Sequence, residues 1–206
     1  MIGVVNYGLG NIQAILNIYN NLNIPARLIS NKQEFDEASR IILPGVGAFD
    51  WAMKKLNSSG LRDRLDEMVI QKNIPVLGIC IGMQMMALSS EEGKMDGLGW
   101  IEGHVKYIKH NIEIDNHKID VPHMGWNNIK IMNNSPLLKG FEKRSYFYFL
   151  HSYTFSCKER EQILTSTDYH GSFTSSFQNI NIYGVQFHPE KSHKCGVRLL
   201  ENFASI

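Results

Sequence analysis

The chain has 206 residues, a length that suits one globular domain. Its 21 basic and 20 acidic residues are interspersed and leave a formal charge of +1, which gives nucleic acid no basic stripe and leaves no acidic tail. A hydrophobic content of 43% supplies a substantial core, and no run approaches the ~18 consecutive apolar residues of a membrane span.

The start, Met1-Ile2-Gly3-Val4-Val5-Asn6, has no basic n-region and reads as a first strand rather than a signal peptide. Asn6-Tyr7-Gly8-Leu9-Gly10 follows as a loop. Asn11 is expected to cap a helix carrying Ile12, Ile15, Leu16 and Tyr19 on one face. Pro25–Ser30 reads as a second strand and Arg40–Leu43 as a third, stopped by Pro44-Gly45. Ala48–Leu56 and Leu61–Gln71 are predicted helices, separated by the breaker Asn57-Ser58-Ser59-Gly60. Pro75–Ile79 is a fully apolar fourth strand, suited to a buried parallel position, and Met83–Leu88 reads as a helix after it. This alternation implies an α/β fold with a mostly parallel sheet flanked by helices.

The second half changes character. Trp100–Ile131 and Ser145–Phe177 contain alternating runs that read as antiparallel strands. Ile182–Phe187 is a further strand, and His193–Ala204 is an amphipathic helix with Val197, Leu200 and Phe203. No repeat or linker divides the chain, so residues 1–206 are read as a single domain.

Gly78-Ile79-Cys80-Ile81-Gly82 lies between a buried strand and a helix. It is a nucleophile elbow with Cys in place of Ser. The tight turn demands small residues on both sides, and Gly78 and Gly82 meet that demand. The helix dipole is expected to favour the thiolate, and the Ile81 N–H is expected to face a developing oxyanion. A thiolate attacking a carbonyl carbon also needs a proton donor. His188-Pro189-Glu190 supplies one directly after a strand, where open α/β sheets carry catalytic groups. Spacing by one residue puts His188 and Glu190 on one side of extended backbone, so Glu190 can orient His188.

Other signals carry less. Gly8-Leu9-Gly10 lacks the third glycine of a dinucleotide fingerprint, because position 13 is Gln. His188 and His193 flank Glu190, but Pro189 breaks the helix that a zinc pair would need. Cys157 and Cys195 have no CxxC pairing and read as incidental thiols. His104, His110, His117 and His170 sit in polar contexts and are expected at the surface. Neither a metal nor a cofactor is expected. With no disulfide framework, the reading is a reducing, cytoplasmic setting.

Gly78–Gln84 and Gly184–Glu190 together resemble the two catalytic motifs of the class I glutamine amidotransferases, in the expected order. The resemblance implies a flavodoxin-like glutaminase fold with Cys80 as nucleophile, His188 as general acid/base and Glu190 as its orienter. It implies that Gln84, Ser152 and Tyr153 meet the substrate, L-glutamine. It further implies that Pro44-Gly45-Val46-Gly47 supplies a second oxyanion N–H from Val46 or Gly47. By its residues alone, that segment is an ordinary strand-ending turn.

Asn6–Asn11, Pro44–Phe49, Pro122–Asn127 and His151-Ser152-Tyr153 are similar to one branch, the glutaminase subunits of imidazole glycerol phosphate synthase. That resemblance implies a heterodimer with a separate (β/α)₈ synthase subunit that consumes the ammonia in histidine biosynthesis. Its expected interface includes His123, Met124, Trp126, Asn127 and Lys191. By residue type alone, Trp126 fits a core as well, and Lys191 fits a solvated surface. Three alternatives stay open at this level: a paralogous glutaminase feeding another acceptor such as a surface sugar, a cysteine peptidase or γ-glutamyl hydrolase on a similar fold, and a non-catalytic interaction module.

Overall fold

A computed structural model describes residues 1–108, 120–141 and 145–206. His110, His117 and part of the expected antiparallel region lie outside these. The strands in chain order are β1 (Ile2–Val5), β2 (Ala26–Ile29), β3 (Arg40–Leu43), β4 (Val76–Ile79), β5 (Ser89–Ser90), β6 (Gly103–Tyr107), β7 (His123–Asn128), β8 (Lys130–Ile131), β9 (Tyr146–His151), β10 (Tyr153–Cys157), β11 (Ile163–Asp168), β12 (Ser172–Asn179) and β13 (Ile182–Val185). The α-helices are α1 (Ile12–Asn21), α2 (Phe49–Ser58), α3 (Arg62–Asp66), α4 (Ile81–Gln84) and α5 (His193–Ala204).

The main sheet runs β2-β1-β3-β4-β13-β12-β10-β6-β5, with β11 and β8 branching from β12. The β2-β1-β3-β4-β13 stretch is parallel throughout. The ladder turns antiparallel from β13 to β12 and onward through β10 to β6. The mixed α/β class with an antiparallel addition is therefore as the sequence predicts. β1 crosses to β2 in one direction and β3 to β4 in the other. Right-handed crossovers then put α1 and α2 on opposite faces of the sheet. α5 joins α1, where the buried Tyr19 hydroxyl donates to the Leu200 carbonyl at 3.1 Å. All four residues of β1, of β4 and of β13 are buried, as expected of strands covered on both faces.

Three local expectations are corrected. Asn11 occupies the N-cap position of α1 but makes no side-chain capping bond. The helix expected over Leu61–Gln71 is regular only through Asp66, and a wider π-type turn carries Glu67–Gln71. The helix expected at Met83–Leu88 instead spans Ile81–Gln84 and stops. Beyond Met85 the N–H groups turn to closer acceptors, Met86 to the Met83 carbonyl at 3.2 Å and Ala87 to that of Gln84 at 3.1 Å, a tighter 3₁₀-type turn. The carbonyls of Met85, Met86, Ala87 and Leu88 accept from the N–H groups of Leu98, Ile101, Gly99 and Gly97, which holds the segment against residues 97–101. One turn of helix also carries a much weaker dipole than the sequence reading assumed.

β7 and β9 form a separate two-stranded ribbon. Its backbone meets the segment after β13 where the His188 N–H donates to the Tyr148 carbonyl at 2.8 Å. No helix among the described residues is long and apolar enough to cross a membrane.

Candidate active site

The site lies at the carboxyl ends of β3, β4 and β13, three neighbours in the parallel part of the sheet. In-register pairing of Val185 with Ile79 brings the chain beyond β13 alongside the chain beyond β4. The Cys80 N–H then donates to the Val185 carbonyl at 2.8 Å.

Cys80 has φ 54° and ψ −110°, a positive-φ conformation that side chains rarely adopt. The surrounding glycines make this turn possible. A Cβ on Gly78 would lie 2.7 Å from the Gly82 carbonyl oxygen and the Met83 nitrogen, and a Cβ on Gly82 would collide with the Leu43 carbonyl. Gly45, in the loop after β3, packs as closely on the Ile81–Gly82 backbone. Ile81 begins α4, where an N–H has no helical acceptor.

His188 is buried, and its Nδ1 lies 2.9 Å from Glu190 Oε1. Its backbone is clamped as well: the Ser192 hydroxyl donates to the His188 carbonyl at 2.6 Å and accepts from the Tyr148 N–H at 3.0 Å. His188 Nε2 is buried without a hydrogen bond in good geometry, and Cys80 is the other group that acts on the ring. Burial works against the imidazolium. Cys80 and Glu190, through hydrogen bonding and charge, overcome it and raise the pKa to about 10. At neutral pH the ring is a cation able to deliver a proton.

These groups open on a cavity of about 280 Å³ lined by Val46, Gly47, Cys80, Ile81, Gln84, Ser152, Tyr153, His188 and Lys191 among others. Gln84 is buried and donates to the Tyr153 carbonyl at 2.9 Å and to Gln186 Oε1 at 3.0 Å. Its own Oε1 has no protein partner, which leaves an acceptor for a bound ligand. Sequence reasoning did not single out Gln186, whose Nε2 lies 3.8 Å from Cys80 Sγ, or Leu150, whose carbonyl is also 3.8 Å from it. Gln186 reaches the site through tertiary contacts with Gln84 and Cys80, which its local spacing does not announce. Glu92 also lines the cavity and accepts from the Phe49 N–H at 2.9 Å; nothing near it in the sequence marks it.

The expected interface residues divide. Met124 and Trp126 are 65% and 49% exposed on one face of β7. Trp126 stacks on His193 at 5.2 Å, and Lys191 Nζ sits 5.6 Å from the centre of the Tyr148 ring. Asn127 is half-buried. His123 turns the other way. It is buried between Phe149 and Tyr169, so its side chain does not join the exposed face. Burial lowers its pKa to about 4. Burial first, then the neighbouring His123 and His188, lowers that of His151 to about 3.

Elsewhere, Cys157 is partly buried on β10, and burial pushes its thiol up to about 12. Cys195 is free and half-buried. Among the described residues no group of three or more His, Cys, Asp or Glu could hold a metal.

The glutamine amidotransferase class-I family model matches residues 3–205, and the chain belongs to that family. It is 48% identical to the imidazole glycerol phosphate synthase subunit HisH of Leptospira interrogans and 50% identical to that of Bdellovibrio bacteriovorus. Each match runs over 206 residues and covers 100% of both chains. Within the family the chain therefore falls in the HisH branch. A crystal structure of a glutamine amidotransferase shares the fold alone, with TM-score 0.75 at 16% identity over 100% of this chain and 99% of that one.

Proposed function

We propose that this chain hydrolyses glutamine to glutamate and ammonia through Cys80, His188 and Glu190. The ammonia passes to a separate (β/α)₈ synthase subunit, which uses it to make imidazole glycerol phosphate and an aminoimidazole carboxamide nucleotide for histidine. The observation that carries this reading is the meeting of the Cys80 elbow and the His188–Glu190 pair at adjoining strand ends, around one cavity. The relatives, named as subunits of imidazole glycerol phosphate synthase, support the reading of a partner and of this pathway.

Cys80 thiolate attacks the side-chain amide carbon. The resulting oxyanion is held by the N–H of Ile81 and one from Val46 or Gly47. The His188 imidazolium gives its proton to the departing amine, and ammonia leaves. Water, deprotonated by His188, then attacks the glutamyl thioester and releases glutamate and the thiolate. Glu190 holds the ring throughout. Gln84, Ser152 and Tyr153 hold the amino-acid end of the substrate. Met124, Trp126, Asn127 and Lys191 form the docking face in a cytoplasmic heterodimer.

The test is Cys80→Ser in the reconstituted complex. Glutamine-dependent product formation is lost, while added ammonium still supports it. Undiminished glutamine hydrolysis would refute the assignment. Rescue of a histidine auxotroph lacking its own glutaminase subunit, with a matched partner, tests the pathway; failure to rescue would refute it.

A further inference from the structure

The proposed mechanism leaves two buried histidines unused. His123 on β7 and His151 at the end of β9 face each other, with His123 Nδ1 3.0 Å from His151 Nε2. His151 Nδ1 lies 3.0 Å from the Tyr153 carbonyl. Asn127 Nδ2 lies 3.3 Å from His123 Nε2 and donates to the Asp168 carbonyl at 2.9 Å.

The chemistry of these partners fixes every proton. A carbonyl only accepts, so His151 carries its proton on Nδ1 and presents a lone pair at Nε2. His123 must then donate from Nδ1, and its Nε2 accepts from the Asn127 amide. A charged His151 would donate from Nε2 to His123 Nδ1 and shift the single proton of His123 to Nε2, against the Asn127 N–H. The arrangement closes only with both rings neutral and both in the Nδ1–H form.

The chain of bonds runs in one direction, from Asn127 through His123 and His151 to the Tyr153 carbonyl. There it meets Gln84, which also donates to that carbonyl. Gln84 in turn reaches Gln186, which contacts Cys80 Sγ. The two rings therefore tie the β7–β9 ribbon to β10 of the main sheet. The tied corner is residues 150–153, which line the cavity.

We infer that His123 and His151 are an uncharged pair of positioning residues that locks the Leu150–Tyr153 wall of the cavity against strand β7. This rests on the glutaminase reading above. Because β7 also carries Met124 and Trp126, whatever docks on its exposed face displaces or holds the wall beside Cys80.

Two measurements test the pair. The first needs no substitution. Nitrogen-15 shifts of the two imidazoles in the folded chain at neutral pH should report neutral rings protonated at Nδ1. A charged ring, or the Nε2–H form in either, overturns the inference. The second is kinetic, in the complex with the synthase subunit. His123→Phe keeps the stacking on Phe149 and Tyr169 but removes both nitrogens. The kcat for glutamine hydrolysis, per folded molecule, should fall about tenfold, as expected for losing the one buried hydrogen bond, of the two removed, that reaches the wall through His151. His123→Asn places an amide donor near the old Nδ1 and should recover most of that loss. A Phe variant within twofold of the parent overturns the positioning role alone, whereas a parent complex that hydrolyses no glutamine overturns the glutaminase reading and this inference together.

Discussion

The elbow conformation predicts an inverted order of stability between two substitutions at one position. At ordinary positions alanine is more stable than glycine by about 0.5–1 kcal/mol, because glycine loses more chain entropy on folding. At Cys80 the backbone sits at φ 54° and ψ −110°, outside the small left-handed well open to non-glycine residues. Such strain is on the order of 1–3 kcal/mol, and this geometry belongs to the upper half of that range. Cys80→Ala keeps the strain and loses the thiol. Cys80→Gly loses the thiol and relieves the strain. Against that relief stand the entropy and one lost buried methyl, together about 1–2 kcal/mol. The net advantage of glycine over alanine is about 1 kcal/mol. For a chain of this size that corresponds to roughly 2–4 °C in melting temperature. Calorimetry on both variants, each without glutaminase activity, reads the difference directly. An alanine variant as stable as the glycine variant, or more so, would refute the claim that the elbow stores strain.

Glu190→Gln keeps the shape of the His188 partner but removes its charge. The kcat for glutamine hydrolysis should fall by roughly 10²–10⁴, with a smaller change in KM. A raised folded-state pKa stabilises the fold fully below the unfolded value, near 6.5, and loses that contribution as pH climbs through about 10. The stability of the parent relative to His188→Gln should therefore shrink between pH 6.5 and 10, measured by urea unfolding; a constant difference would contradict the charged ring. Trp126→Ala should weaken binding of the synthase subunit by about 2 kcal/mol or more in titration calorimetry while leaving the melting temperature nearly unchanged, because the ring is exposed and central to the proposed docking face.

Local patterning carried much of the architecture. Ile2–Val5, Arg40–Leu43 and His193–Ala204 form with the limits read from their hydrophobic spacing. The elbow was legible because glycine at 78 and 82 is a steric demand of the turn itself. What escaped depends on distant neighbours. The helix after Cys80 ends early where Met86 and Ala87 turn to i−3 acceptors and residues 97–101 bind the carbonyls that follow, contacts with a segment outside the 81–88 window. His123 was placed in the expected interface by the branch resemblance of Pro122–Asn127, not by its own spacing. It is drawn inward by Phe149 and Tyr169, from other parts of the chain. Gln186 and Glu92 join the site through tertiary contacts only, so nothing in their local spacing separates them from other polar residues.

The position of β13 has a consequence for synthesis. It is the last strand in chain order among the described residues, yet it sits between β4 and β12 in the middle of the sheet. Until it arrives, β4 and β12 present unpaired edges toward each other, and such edges invite pairing with other chains. The nucleophile is then already built, but the strand that delivers His188 is still missing. A nascent or truncated chain ending before Ile182 therefore cannot hydrolyse glutamine and carries an open sheet. Completion of the fold and onset of chemistry become one event, so a partly made polypeptide does not drain its substrate.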